Sequence, residues 1–224
     1  MVQVKKETVR NAILDAARDL FSEGGYHRTT LLDIAQRAGT GVSSLYSYFP
    51  SKLHLLYAVV EPWQKECIWR LEANVRKVDE PREKLRAILL GIWRDIPMEN
   101  IGLANSLMEA LASADPGEKK PSPLLGWAEQ RLRMMLESAV PARAGRAVDY
   151  DLLSHLFLMA YDGFVINRRL DDLRDIEKLV ESVCEMLLPS TQPERTLDNS
   201  PLSHTGSKVV RSRRRRADQP DEKA

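Results

Sequence analysis

Residues 29–52, TTLLDIAQRAGTGVSSLYSYFPSK, concentrate threonine, serine and tyrosine hydroxyls and a lysine in one short stretch. Hydroxyls and ammonium groups donate to phosphate oxygens and so fix a protein's register on a nucleic-acid backbone, while contacts to base edges carry sequence information. Within it, Thr40, Gly41, Val42, Ser43, Ser44 and Ser47 are expected to face a DNA groove or its rim. Val42 and the Thr40 methyl suit a thymine methyl, serine hydroxyls pair with bases or phosphates, and Gly41 lets the backbone approach closely. No Arg, Asn or Gln lies between Thr40 and Phe49, so strong bidentate base readout is missing. Specificity then leans on van der Waals contact, water and DNA shape.

Such groups work only on a rigid frame, and the spacing supplies one. Ala35, Gly39 and Leu45 stand at offsets of four and ten. Alanine lets one helix lie against the next, glycine permits the turn, and leucine anchors the second helix, the logic of a helix-turn-helix. Upstream, Val9, Ile13, Ala16, Leu20 and Phe21 recur at helical spacing, and Gly24-Gly25 stops that helix. Thr29 or Thr30 caps a helix over Leu31 to Ala38, Val42 to Phe49 forms the recognition helix, and Pro50-Ser51 ends it. Gly41 is expected to weaken the start of that helix by up to about 1 kcal/mol.

With these residues in place the chain resembles the TetR family of bacterial transcriptional regulators. The resemblance rests on Ile13, Ala16, Ala17, Leu20, Phe21, Gly25, Tyr26, Thr29, Thr30, Ile34, Ala35, Ala38, Gly39, Leu45, Tyr46, Phe49, Lys52 and Leu55-Leu56, roughly the first quarter of the chain. It departs from the family where many relatives read AGVS and this chain reads Ala38-Gly39-Thr40-Gly41. The resemblance implies that Thr30, Tyr46, Tyr48 and Lys52 contact the DNA backbone, although Tyr46 could instead pack under the reader. It further implies a homodimer on a double-stranded DNA operator, a repressor, and a small-molecule effector bound in the larger domain.

Composition agrees. The 224 residues carry 33 basic and 32 acidic side chains, a net charge of +1, so the chain is no nonspecific nucleic-acid coat. Local basic charge surrounds the reader at Lys5, Lys6, Arg10, Arg28, Arg37 and Lys52; Arg18 and Arg37 equally suit solvated helix faces. Cys67 and Cys184 form no CxxC pair, which fits a reduced, cytoplasmic protein. No apolar run reaches membrane length, and no signal-peptide pattern opens the chain. The histidines are dispersed, and neither a metal-spaced cluster, a nucleophile elbow nor a phosphate-binding glycine loop is present. No metal, cofactor or enzymatic activity is therefore expected. The rival reading is a nucleoid or division protein that binds many sites and ignores small molecules.

The expected fold is all-α: a three-helix DNA-binding domain over residues 1–50, a helical effector-binding and dimerisation domain over 51–189, and a disordered basic tail over 190–224, with about nine helices in all. Lys52 to about Val78 reads as one segment, kinked at Pro62 or restarted there. Helices follow over Arg82 to Ile96, Glu99 to Ala114 and Leu124 to Val140. The stretch from Tyr150 to Ile166 is apolar nearly all round and should be buried on more than one side. Leu156, Ala160, Gly163, Phe164, Ile176, Leu179, Val180, Val183 and Leu187 are expected to build a four-helix dimer interface with a second copy. Trp63, Cys67, Trp93, Met108, Trp127, Met134, His155 and Met159 are the candidate effector-cavity residues, since aromatics and methionines line adaptable pockets. The RSRRRR run at 211–216 could touch phosphates or simply be solvated.

Overall fold

The structure, a computed structural model, describes residues 2–114, 122–141, 147–170 and 175–189. The basic tail expected over 190–224 lies outside them, as does most of the loop after Ala114. Among the described residues the fold is all-helical: α1 (Val2–Gly24), α2 (Leu31–Arg37), α3 (Val42–Tyr48), α4 (Lys52–Val75), α5 (Pro81–Leu90), a π-helical turn (Gly91–Asp95), α6 (Ile96–Glu99), α7 (Ile101–Ser113), α8 (Leu124–Ala139), α9 (Tyr150–Arg169) and α10 (Ile176–Leu187). Because α5, the π-turn and α6 run end to end, the described residues form nine separate rods, the number expected.

Local chemistry explains the boundaries. Thr30 caps α2 in a reciprocal capping box: its hydroxyl accepts the Asp33 N–H, and the Asp33 carboxylate accepts the Thr30 N–H. Gly39 has φ +65°, the left-handed conformation that a side chain disfavours, and this turns the chain from α2 into α3. Gly41 is the N-cap of α3 in extended backbone, not an interior residue. The expected penalty of about 1 kcal/mol therefore does not apply, because glycine at an N-cap costs only a few tenths. Ser51 caps α4, which continues unbroken through Pro62. Pro97 lies inside the continuous run of α5 to α6 rather than ending it.

Two apolar clusters share the interior. The first joins Ile13, Phe21, Ile34 and Leu45 of the reader to Leu55, Leu56 and Val60 of α4 and to Leu103, Leu107 and Ala110 of α7. The reader's core thus extends past the boundary expected at residue 50, because the first half of α4 and one stripe of α7 complete it. The second cluster packs Leu85, Ile88, Trp93, Leu132, Leu136, Phe157, Val180 and Cys184.

α7 holds α1 directly. Ser106 Oγ donates to the Phe21 carbonyl at 2.7 Å, and Asn100 Nδ2 donates to Ser22 Oγ at 3.1 Å. A Cβ on Gly102 would collide with the Ser22 carbonyl, so glycine is what allows this approach.

Candidate nucleic-acid interface and effector cavity

α3 buries Leu45 and exposes Ser43, Tyr46 and Ser47 on the opposite side, with Val42, Ser44 and Tyr48 half-buried. Thr40 is half-buried and Gly41 exposed at its start. The residues expected to face the groove therefore stand together on α3 and at its start. Tyr46 is 55% exposed, so it does not pack under the reader. Ser47 Oγ donates to the Ser43 carbonyl at 3.2 Å, which commits its proton locally.

The other three residues expected on phosphates are engaged by the protein. The Thr30 hydroxyl donates to Asp33 Oδ2 at 2.6 Å. The Tyr48 phenol donates to the Lys6 carbonyl at 3.1 Å, which ties α3 to α1. Lys52 Nζ donates to the carbonyls of Tyr26 (2.8 Å) and Thr29 (3.1 Å) and sits 4.2 Å from the centre of the Tyr26 ring. Burial lowers the Lys52 pKa, against the nearby Glu109, which raises it. Spacing alone does not show these inward contacts, because the carbonyls come from a turn 23 and 26 residues earlier. Arg37 pairs with Asp19 and Glu23, and Arg18 with Asp15, which gives both to solvated helix faces.

In the larger part of the chain a cavity of about 350 Å³ opens between α4, α7, α8, α9 and the π-turn. Tyr57, Gln64 and Ile68 line it from α4, Leu107, Met108 and Leu111 from α7, and Leu158, Tyr161 and Asp162 from α9. Ile92, Ile96, Ser122, Leu124, Leu125, Ala128, Leu132 and Met135 complete the wall. Gln64 Nε2 lies 3.5 Å from the Tyr161 hydroxyl, and burial holds that phenol well above its usual pKa, so it stays a neutral donor.

Of the eight expected cavity residues, Met108 lines the wall. Trp93 is 4% exposed, donates its indole N–H to the Phe157 carbonyl at 3.0 Å, and packs edge-on against the Phe157 ring and at a tilt against Phe164 as core. Trp63 packs between the two clusters. Cys67 is buried beside the Arg70–Glu99 ion pair, and burial pushes its thiol up to about 11. Trp127 packs edge-on against Trp69, with Lys65 over its ring. Met134 and Met159 are exposed, and His155 is exposed with Nδ1 2.5 Å from Glu129 Oε1, not buried as expected. The residues missed are mainly aliphatic: cavity walls and core share the same apolar stripes, so residue type does not separate them.

α9 is likewise not buried all round. Leu152, Leu156, Met159, Ile166 and Leu170 form an exposed apolar stripe, and apart from its chain neighbours and its own helix backbone nothing lies within 4 Å of where a Cβ on Gly163 would stand. Leu179 and Met186 of α10 are exposed as well. Val180 is fully buried within the protomer and belongs to its core, a correction to its expected place in the interface. Ala160, Phe164, Ile176, Val183 and Leu187 are half-buried against the same core.

A helix-turn-helix on a three-helix base, joined to a helical body with an internal cavity, is the build of a DNA-binding regulator. Residues 13–59 match the family model described as bacterial regulatory proteins, tetR family. The fatty acid metabolism regulator protein of Bacillus subtilis is 22% identical over 178 residues, 79% of this chain and 92% of that protein. The HTH-type transcriptional repressor KstR of Rhodococcus jostii is 47% identical over 110 residues, 47% of this chain and 50% of KstR. The solved structure of FadR from Bacillus subtilis in complex with stearoyl-CoA superposes with a TM-score of 0.62 at 22% identity, covering 80% of this chain and 97% of that one. Residues 13–59 are thus the part of the chain that is similar to bacterial regulatory proteins of the tetR family, and the body beyond them shares the fold of FadR. Among the described residues no helix is long and apolar enough to cross a membrane.

Proposed function

We propose that the chain is a cytoplasmic, dimeric transcriptional repressor that binds a palindromic operator through α3 and is released by a small molecule in the α4–α9 cavity. The observation that carries the gating step is the division of α7 into two faces. Gly102, Ser106 and Glu109 lie on one face and grip residues 21–27 of the reader, while Leu107, Met108 and Leu111 lie on the opposite face and line the cavity. A ligand that displaces α7 must therefore move α1. It shifts the equilibrium only by binding the released arrangement more tightly.

The exposed stripe on α9, with the open surface at Gly163, supports a second copy packing there, since contiguous exposed apolar surface marks an interaction site. Exposed Tyr46, Ser43 and Ser47 on α3 support direct contact with DNA; Thr40, Gly41, Val42 and Ser44 flank them. The chain's resemblance to the repressor KstR and to FadR supports the repressor role and the small-molecule effector. Genome-wide mapping of bound DNA tests the reading. A few promoter palindromes with half-sites about 34–36 Å apart support it. Many dispersed sites without symmetry contradict it and favour a nucleoid role.

A further inference from the structure

The cavity's chemistry is narrower than its size. Its single charged lining residue among those described is Asp162, an acid; no described arginine, lysine or histidine lines it. The Asp162 charge acts on Tyr161 in the direction that keeps the phenol protonated, as burial does. An anion placed here meets the Asp162 carboxylate and low-polarity walls with no cation among the described lining residues, and burying a charge without a partner is strongly disfavoured. The polar groups that do converge are neutral: the Tyr161 hydroxyl and the Gln64 amide, 3.5 Å apart, with Tyr57 on the same α4 face. A phenol and a primary amide can each donate to and accept from one ligand oxygen. About 350 Å³ suits one small molecule.

We infer that the cavity binds an uncharged, mainly apolar molecule carrying a hydroxyl or carbonyl oxygen, held by Tyr161 and Gln64, and that it rejects the corresponding free carboxylate. The inference rests on the proposed effector role of this cavity for its effect on DNA, but not for binding itself.

The test is titration calorimetry of the full chain with dodecanol, a methyl ketone of equal length and dodecanoate. The alcohol and the ketone should bind about tenfold or more tightly than dodecanoate. Tyr161→Phe should weaken the alcohol about threefold to tenfold, as expected for one lost hydrogen bond. Gln64→Arg places a cation in the cavity and should reverse the order in favour of dodecanoate, while circular dichroism confirms that both variants remain folded. Dodecanoate binding as tightly as the alcohol, unchanged alcohol affinity in Tyr161→Phe, or no binding by any member of the panel overturns the inference. Alcohol binding that leaves DNA affinity unchanged keeps the ligand class and removes the gating reading.

Discussion

Glu109, near the C-terminal end of α7, accepts the backbone N–H of His27 at 3.1 Å and so fastens the regulatory body to the turn that leads into the helix-turn-helix. Its other carboxylate oxygen pairs with Arg169 of α9 at 2.6 Å. One acid thus joins the reader turn, the helix that lines the cavity and the helix that carries the exposed apolar stripe. Burial raises the Glu109 pKa, but the His27 N–H and Arg169 outweigh it and leave the value below 4.5.

Breaking this junction should uncouple ligand from DNA. Arg169→Ala removes the α9 contact and leaves the His27 hydrogen bond intact. The expected outcome is near-normal operator affinity without ligand and a smaller ligand-induced loss, reduced by about 1 kcal/mol, within the usual range of coupling energies. Operator affinity with and without ligand, in both proteins, checks this; equal ratios would remove Glu109–Arg169 from the route. Pro62→Ala in α4 is the companion test, since α4 is the other element running from the reader to the cavity.

The same acid sets a pH dependence. A carboxyl held below its ordinary 4.5 stabilises the fold above that value, and the contribution is lost as pH falls through the lower folded value. Glu109→Gln should therefore melt below wild type at neutral pH, and the gap should close as pH drops below 4.5. A gap that persists at acid pH would mean that the charge is not what matters.

Lys52 should act on stability more than on DNA. Lys52→Met breaks donation to the Tyr26 and Thr29 carbonyls and should cost about 1–3 kcal/mol. The slope of log binding constant against log salt should stay unchanged. A fall of about 0.9 would instead place Lys52 on a phosphate.

Leu156 and Val180 separate interface from core. Leu156 is 55% exposed in the protomer and Val180 fully buried. Leu156→Asp should give a folded monomer by sedimentation, with weakened operator binding because two linked half-sites are needed. Val180→Asp should fail to fold, since a charge buried without a partner costs several kcal/mol. A wild type that sediments as a monomer would contradict the proposed assembly.

The reader is largely legible in the amino-acid sequence. Gly39, the Thr30–Asp33 cap and Leu45 each act through local geometry, and local geometry is written in short spacings. The last two helices were legible as apolar rods for the same reason. What spacing does not encode is which turn lies opposite. The carbonyls that hold Lys52 and Tyr48, the glycine contact at Gly102 and the Glu109 junction all depend on residues 23 to 82 positions away. The cavity is hardest to read, since Leu107 and Leu132 belong to the core clusters and to the cavity wall at once, while Trp93 is core and does not line it. The π-turn at Gly91–Asp95, which brings Ile92 and Ile96 to the cavity wall, carries no periodic signature of its own.

The central claim is that cavity occupancy controls DNA binding. Fluorescence anisotropy of a labelled operator recovered by genomic mapping, titrated with the full chain, measures it most directly. The titration is run with and without a compound that calorimetry has shown to occupy the cavity. The account predicts that the compound weakens operator binding by about fivefold or more, the lower end of ordinary allosteric coupling. Identical affinities with the cavity saturated and empty would contradict it.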